Sequence, residues 1–293
     1  MNDHSIVLIG GPDSGKTNYL ARLWEALRSQ QGALVAAGMP SDIKYVEEAL
    51  AHLLRGSFAP RSEMSIEESD HSFTIPVAHA DARDAAPIKI VVPDVKGELW
   101  QKAVETCELP SRWMENLTQA SGAILFVRIG SDQNNEPLDW VTASELLSMP
   151  VLLEEERDER SIPTQVSLCE LLRFLEHSLT RDSEGRVPRV AVMITAWDLL
   201  DAERAAEGPL AYLQAEYPML AGRISDISTL DICVFGVSIL GGDFRDEAFK
   251  KAFLEDDQPL SGHVVQDRNG SVEIQPDVTA PIGWLLQRLN NAT

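Results

Sequence analysis

Basic charge is what this chain most lacks. Its 293 residues carry 25 Lys and Arg against 46 Asp and Glu, a formal net charge of −21. A surface of that sign repels phosphodiester backbones and anionic headgroups, which argues against nucleic acid and membrane as partners unless a local basic patch intervenes. Arg181, Arg186 and Arg189 come nearest to one, and Asp182 and Glu184 interrupt them. Cysteine is scarce too. Cys107, Cys169 and Cys233 are odd in number, far apart and without metal-ligand spacing. They imply reduced thiols in the cytoplasm rather than a disulfide framework. No apolar run is long enough to span a bilayer, and no basic, apolar and small-residue series marks a signal peptide. The six histidines are scattered, and no Ser/His/Asp or Cys/His arrangement stands out. Transition-metal and nucleophilic chemistry therefore have no support. Internal repeats and low-complexity linkers are absent as well, so residues 1–293 read as one domain with insertions at about 130–163 and 241–280.

What is present begins at the fifth residue. Ser5 to Ile9 is a short apolar run, and Gly10-Gly11-Pro12-Asp13-Ser14-Gly15-Lys16-Thr17 fits G-x-x-x-x-G-K-[ST]. Tyr19, Leu20, Leu23, Trp24 and Leu27 then recur at helical spacing. Strand, glycine loop and helix follow in the order a phosphate-binding loop requires. Backbone N–H groups wrap the phosphates at the positive end of the helix. In such a loop Lys16 reaches the β- and γ-phosphates and the Thr17 hydroxyl takes Mg²⁺. Gly10, Asp13, Ser14, Gly15, Lys16, Thr17 and Asn18 are thus the expected phosphate-side set.

Further along, strands and helices alternate. Ser41 to Arg55 has one apolar face and stops at Gly56, a second helix; Ser57 to His71 lacks periodicity and reads as a loop. Phe73 to His79 and Ile88 to Val92 form an expected antiparallel pair. Apolar runs at Ala123 to Ile129, Val190 to Ile194 and Ile232 to Val237 are further strands. Helices are expected over the segment from Val166 to Leu179, over Leu210 to Ala221, and from Ile282 to Leu289. His263 to Ile274 can form a hairpin around Asp267-Arg268-Asn269-Gly270. The pattern predicts a three-layer α/β fold: a mostly parallel sheet with one antiparallel strand and helices on both faces.

Three later segments supply the remaining chemistry. Ile88 to Val92 leads into Pro93-Asp94-Val95-Lys96-Gly97-Glu98. A strand ending in a carboxylate suits a Mg²⁺ site beside a phosphate loop, with Asp94 holding the ion and the Gly97 N–H facing the γ-phosphate. Thr195-Ala196-Trp197-Asp198 follows a strand, and a carboxylate there accepts the N1–H and amino hydrogens of guanine. Ser238, at the next strand end, can contact the base carbonyl.

These residues resemble the guanine-nucleotide-binding proteins of the translation-factor and small-GTPase class. More narrowly, the Gly10 to Tyr19 loop, Pro93-Asp94-x-x-Gly97-Glu98 and Thr195-x-x-Asp198 resemble the bacterial double-GTPase family of nucleotide-dependent conflict systems. The resemblance implies GTP and GDP as ligands, Mg²⁺ as cofactor, and an anti-phage switch acting with a second GTPase or an effector. A homodimer or heterodimer is compatible with it.

The chain departs from the class at three places. Glu98 stands where small GTPases place the glutamine that orients water, so the expected catalytic set is Lys16, Gly97 and Glu98, with slow or partner-dependent turnover. Thr195-Ala196 replaces Asn-Lys, which removes the lysine stem that covers the guanine plane; Trp197 is open to covering the base or to packing in the core. No threonine lies between Thr17 and Thr74, so Ser57, Ser62 and Ser65 are alternatives for the first switch. Arg55 and Arg61 are open to an arginine-finger role or to solvation. Two other functions compete: a nucleotide-binding adaptor with little hydrolysis, and an ATPase on the same loop.

Overall fold

The computed structural model describes residues 3–40, 43–59, 72–82, 87–93, 97–135, 162–182, 184–256 and 260–287. Strand β1 (Asp3–Ile9) lies inside the sheet and has cores on both sides. Ile6 and Leu8 enter one apolar cluster, Val7 and Ile9 the other, and none of the four is more than 4% exposed. A strand covered on both faces has no use for alternation, which is why its sequence is continuously apolar. Strands β5 (Ala120–Arg128) and β6 (Arg189–Thr195) repeat the pattern beside it.

Among the described residues the sheet has nine strands in the order β2-β3-β4-β1-β5-β6-β7-β8-β9. The five inner strands, including β4 (Ile88–Pro93) and β7 (Asp231–Ser238), are parallel. β3 (Ser72–His79) runs antiparallel to β4, as expected. Antiparallel pairing also occurs at both edges, one of them the hairpin expected around Asp267-Arg268-Asn269-Gly270. β2 (Leu34–Ala36) pairs with β3 at one edge, and a hairpin of β8 (His263–Arg268) and β9 (Ser271–Gln275) closes the other. Asn269 and Gly270 turn that hairpin with φ of 52° and 78°, the mirror-image turn that two left-handed residues make.

The helices divide between the faces. α1 (Lys16–Arg28) and α2 (Lys44–Leu54) bury Tyr19, Leu23, Trp24, Val46, Leu50 and Leu53 on the Ile6 side. α3 (Gly97–Thr106), α4 (Ser111–Thr118) and α5 (Thr164–Ser178) bury Trp100, Trp113, Leu168 and Leu172 on the Val7 side. Trp100 and Trp113 are therefore core residues, 1% and 8% exposed. The expected helix over Leu210 to Ala221 is two helices, α7 (Pro209–Glu216) and α8 (Pro218–Asp226), preceded by the short α6 (Ala202–Glu207). Pro218 has no N–H to continue α7 and instead opens α8 at its first position. Within the segment 241–280 the structure has a helix, α9 (Glu247–Glu255), besides the hairpin, and α10 (Ala280–Leu286) follows it. Most of the insertion at 130–163 and of the loop at 57–71 lies outside the described residues.

Candidate functional site

The parallel strands β1, β4, β5, β6 and β7 all end at one edge of the sheet, where an open α/β fold places its ligand crevice. After β1, Gly15 caps α1 with a φ of 91°. Lys16 Nζ then spans the loop, donating to the Gly10 carbonyl at 2.7 Å, the Gly11 carbonyl at 2.8 Å and Ser14 Oγ at 2.9 Å. The one flexible cation of the motif is thereby held across the loop's own concavity, where phosphate oxygens would compete for it.

Gly97 comes against this loop from the neighbouring strand connection. A Cβ at Gly97 would lie 2.4 Å from the Pro12 nitrogen and 2.5 Å from the Gly11 carbonyl carbon. Only glycine lets α3 begin so close to another backbone. Glu98, the next residue, is exposed in the first turn of α3. Asp94 lies outside the described residues, between the end of β4 and Gly97.

On the other side the loop rests on β6. Thr195 Oγ1, on a residue 5% exposed, donates to the Ser14 carbonyl at 3.0 Å. Thr195 thus braces the phosphate loop from below. Trp197 is 2% exposed and its ring covers Gly236, where a Cβ would approach within 2.5 Å, while Tyr212 meets it edge-on at 5.8 Å. Of its two sequence-level roles the structure places it in packing. Asn18 turns from the loop to the segment after α2: its Oδ1 accepts the Ala59 N–H at 3.0 Å.

Asp198 and Ser238, 40 residues apart in sequence, meet at the end of β6 and β7. Ser238 is fully buried, donates to the Asp198 carboxylate and accepts the Gly241 N–H at 2.9 Å. Burial pushes the Asp198 carboxyl above the usual carboxylate range, partly offset by the Ser238 hydroxyl. His263, paired in register with Ser238, faces the same carboxylate; burial lowers its pKa against the opposing pull of Asp198.

Sequence reasoning missed three residues here. Arg22 is 2% exposed inside α1 and donates through Nε to the Ile239 carbonyl at 3.2 Å and through Nη2 to the Leu260 carbonyl at 3.0 Å. It ties the phosphate-loop helix to the segment after Ser238. Arg128, the last residue of β5, donates through Nη1 to both the carbonyl and Oδ1 of Asp13, each at 3.2 Å. His263 is the third. In sequence an isolated arginine or histidine reads as solvated surface, and only the tertiary arrangement brings Arg128 to the loop, Arg22 to the segment after Ser238 and His263 to Asp198.

The match to known families decides what the geometry serves. The model of the Double-GTPase 1 family matches residues 7–285. The chain belongs to the Double-GTPase 1 family. As a double-GTPase it is a GTP-binding hydrolase. Among solved structures it matches the G domain of the T. maritima FeoB iron transporter, with 11% identity and a TM-score of 0.29, over 87% of this chain and 100% of that one. That likeness is too loose to bear on the assignment. Among curated proteins the chain has no significant match. No helix among the described residues is long and apolar enough to cross a membrane.

Of the two residues expected to hold magnesium, Thr17 lies among the described residues and Asp94 does not. Among the described residues no three His, Cys, Asp or Glu gather as a metal cluster. A hard cation bound chiefly by phosphate oxygens needs few protein ligands, and the Thr17 hydroxyl in the first turn of α1 is of the right kind.

Proposed function

We propose that the protein is a Mg²⁺-dependent GTP switch whose two switch segments are read by a partner, a second GTPase or an effector, in a bacterial conflict system. One observation carries the switch reading: Gly97 and Asn18 join the flanks of both segments to the phosphate loop, at the Gly11–Pro12 backbone and at the Ala59 N–H. A change in what the loop holds is then felt directly at Ala59 and at the start of α3. Thr17 and Asp94 would hold the metal, which supplies charge neutralisation on the β- and γ-phosphates. Lys16 binds the same oxygens, the Gly97 N–H faces the terminal phosphate, and Asp198 with Ser238 orients guanine. Amide exchange measured with a non-hydrolysable GTP analogue and with GDP tests this. Slower exchange in both segments with the analogue alone supports the switch; identical exchange in the two states contradicts it.

The residue that stands for the water-orienting glutamine favours a second, narrower reading in which intrinsic turnover is low. Glu98 places a negative charge beside a negative γ-phosphate, and the first turn of α3 compensates it only in part. Glu98→Gln is expected to raise the partner-free kcat by about tenfold, the equivalent of ~1.4 kcal/mol in the barrier. A fall in kcat would instead make Glu98 a base. The anti-phage role rests on family resemblance and is tested by phage challenge of cells carrying the chain with its genomic neighbours, against a Lys16→Ala control.

A further inference from the structure

The site has a carboxylate in an awkward place. Asp13 sits in the middle of a loop shaped to wrap a polyphosphate, in the left-handed region with a φ of 59°. Left to itself it would repel the ligand at close range. It is not left to itself: Arg128 Nη1 donates to its Oδ1 and to its backbone carbonyl, and Ser131 Oγ donates to its Oδ2 at 3.0 Å. The cluster is locked from behind, since Asn134 Nδ2 donates to the Arg128 carbonyl at 3.2 Å and the Gln133 N–H to Ser131 Oγ at 3.2 Å. Arg128 Nε is buried with no partner among the described residues, a desolvation cost accepted for holding the guanidinium here.

Position matters as much as charge. Arg128 pairs in register with Thr195, the residue that braces the next loop carbonyl, that of Ser14. Thr195 thus braces the Ser14 carbonyl from β6 while Arg128 holds Asp13 from the adjacent strand.

We propose that Arg128 is a positioning residue for nucleotide binding: it fixes Asp13 in its left-handed conformation and neutralises the Asp13 carboxylate beside the triphosphate. The inference rests on the GTP reading above. A surface pair of this kind ordinarily contributes little, so the claim concerns affinity for an anionic ligand, not stability.

Titration with a fluorescent GTP analogue and Mg²⁺, with the Tm of the nucleotide-free protein in parallel, tests it on the full chain. Arg128→Ala is expected to weaken binding about tenfold or more, the scale of a lost charge-assisted contact, with little change in Tm. Adding Asp13→Asn to Arg128→Ala should recover much of the loss, because the unneutralised charge is gone. Unchanged affinity in Arg128→Ala overturns the proposal, as does a loss that the second change Asp13→Asn leaves in place. A wild-type protein that binds no GTP overturns the function reading and this inference with it, an outcome visible before any variant is made.

Discussion

At the scale of single residues, Asp198 carries the most chemistry. Guanine offers two donors, N1–H and the 2-amino group, and an ionised carboxylate offers two acceptors. Asp198→Asn turns one acceptor into a donor, which matches xanthine, whose C2 carries a carbonyl. The variant is therefore expected to reverse the preference between GTP and XTP in competition; retained GTP preference would remove Asp198 from base recognition. The same carboxyl sets a pH dependence. Its pKa in the folded protein is raised by burial, with Ser238, His263 and Asp243 as its polar neighbours. GTP affinity should accordingly decline on acidification already above the ordinary aspartate value of roughly 3.9. Stability runs the other way. A raised carboxyl pKa means the folded state holds the proton more tightly, so this group's contribution is greatest below the unfolded pKa and is lost as pH rises through the folded one. GTP affinity and nucleotide-free Tm measured over pH 4 to 7 in wild type and Asp198→Asn check both signs.

At the scale of elements, the junction of α3 with the phosphate loop matters most. Gly97→Ala puts a methyl group into the Gly11–Pro12 backbone, which cannot yield as a side-chain tip would. Overpacking of this kind costs about 1–3 kcal/mol, and the expected result is a lower Tm together with weaker binding of GTP relative to GDP. Equal weakening of both nucleotides would mean that Gly97 serves the loop's shape and not the γ-phosphate. Elements of this type explain what the sequence could convey. Strands β1, β5, β6 and β7 were legible because cores on both faces demand continuous apolar runs, and the loop after β1 because its residue types are chemically constrained. α3 and α4 were not, since 10 and 8 residues of mixed polarity around Trp100 and Trp113 carry too little periodicity. The break at Pro218 and the role of Arg128 needed the tertiary arrangement, the first to show where a new helix starts and the second to show which strand end faces Asp13.

For the whole molecule, the net charge of −21 and the anionic ligand are in conflict, and the resolution is local. Lys16 in the loop and the N-terminus of α1 place positive charge at one edge of the sheet, and Arg128 offsets the Asp13 carboxylate beside them. Binding should therefore depend strongly on Mg²⁺ and stabilise the folded chain by mass action, about 2.7 kcal/mol at a hundredfold excess over Kd. Lys16→Ala should keep the Tm of the nucleotide-free protein and lose the nucleotide-induced rise. The central claim is guanine-nucleotide binding at this edge, and competitive titration of the purified chain with GTP and ATP, with and without Mg²⁺, tests it most directly. The account predicts Mg²⁺-dependent binding that GTP competes for and ATP does not; equal competition by ATP, or no binding of either nucleotide, would contradict it.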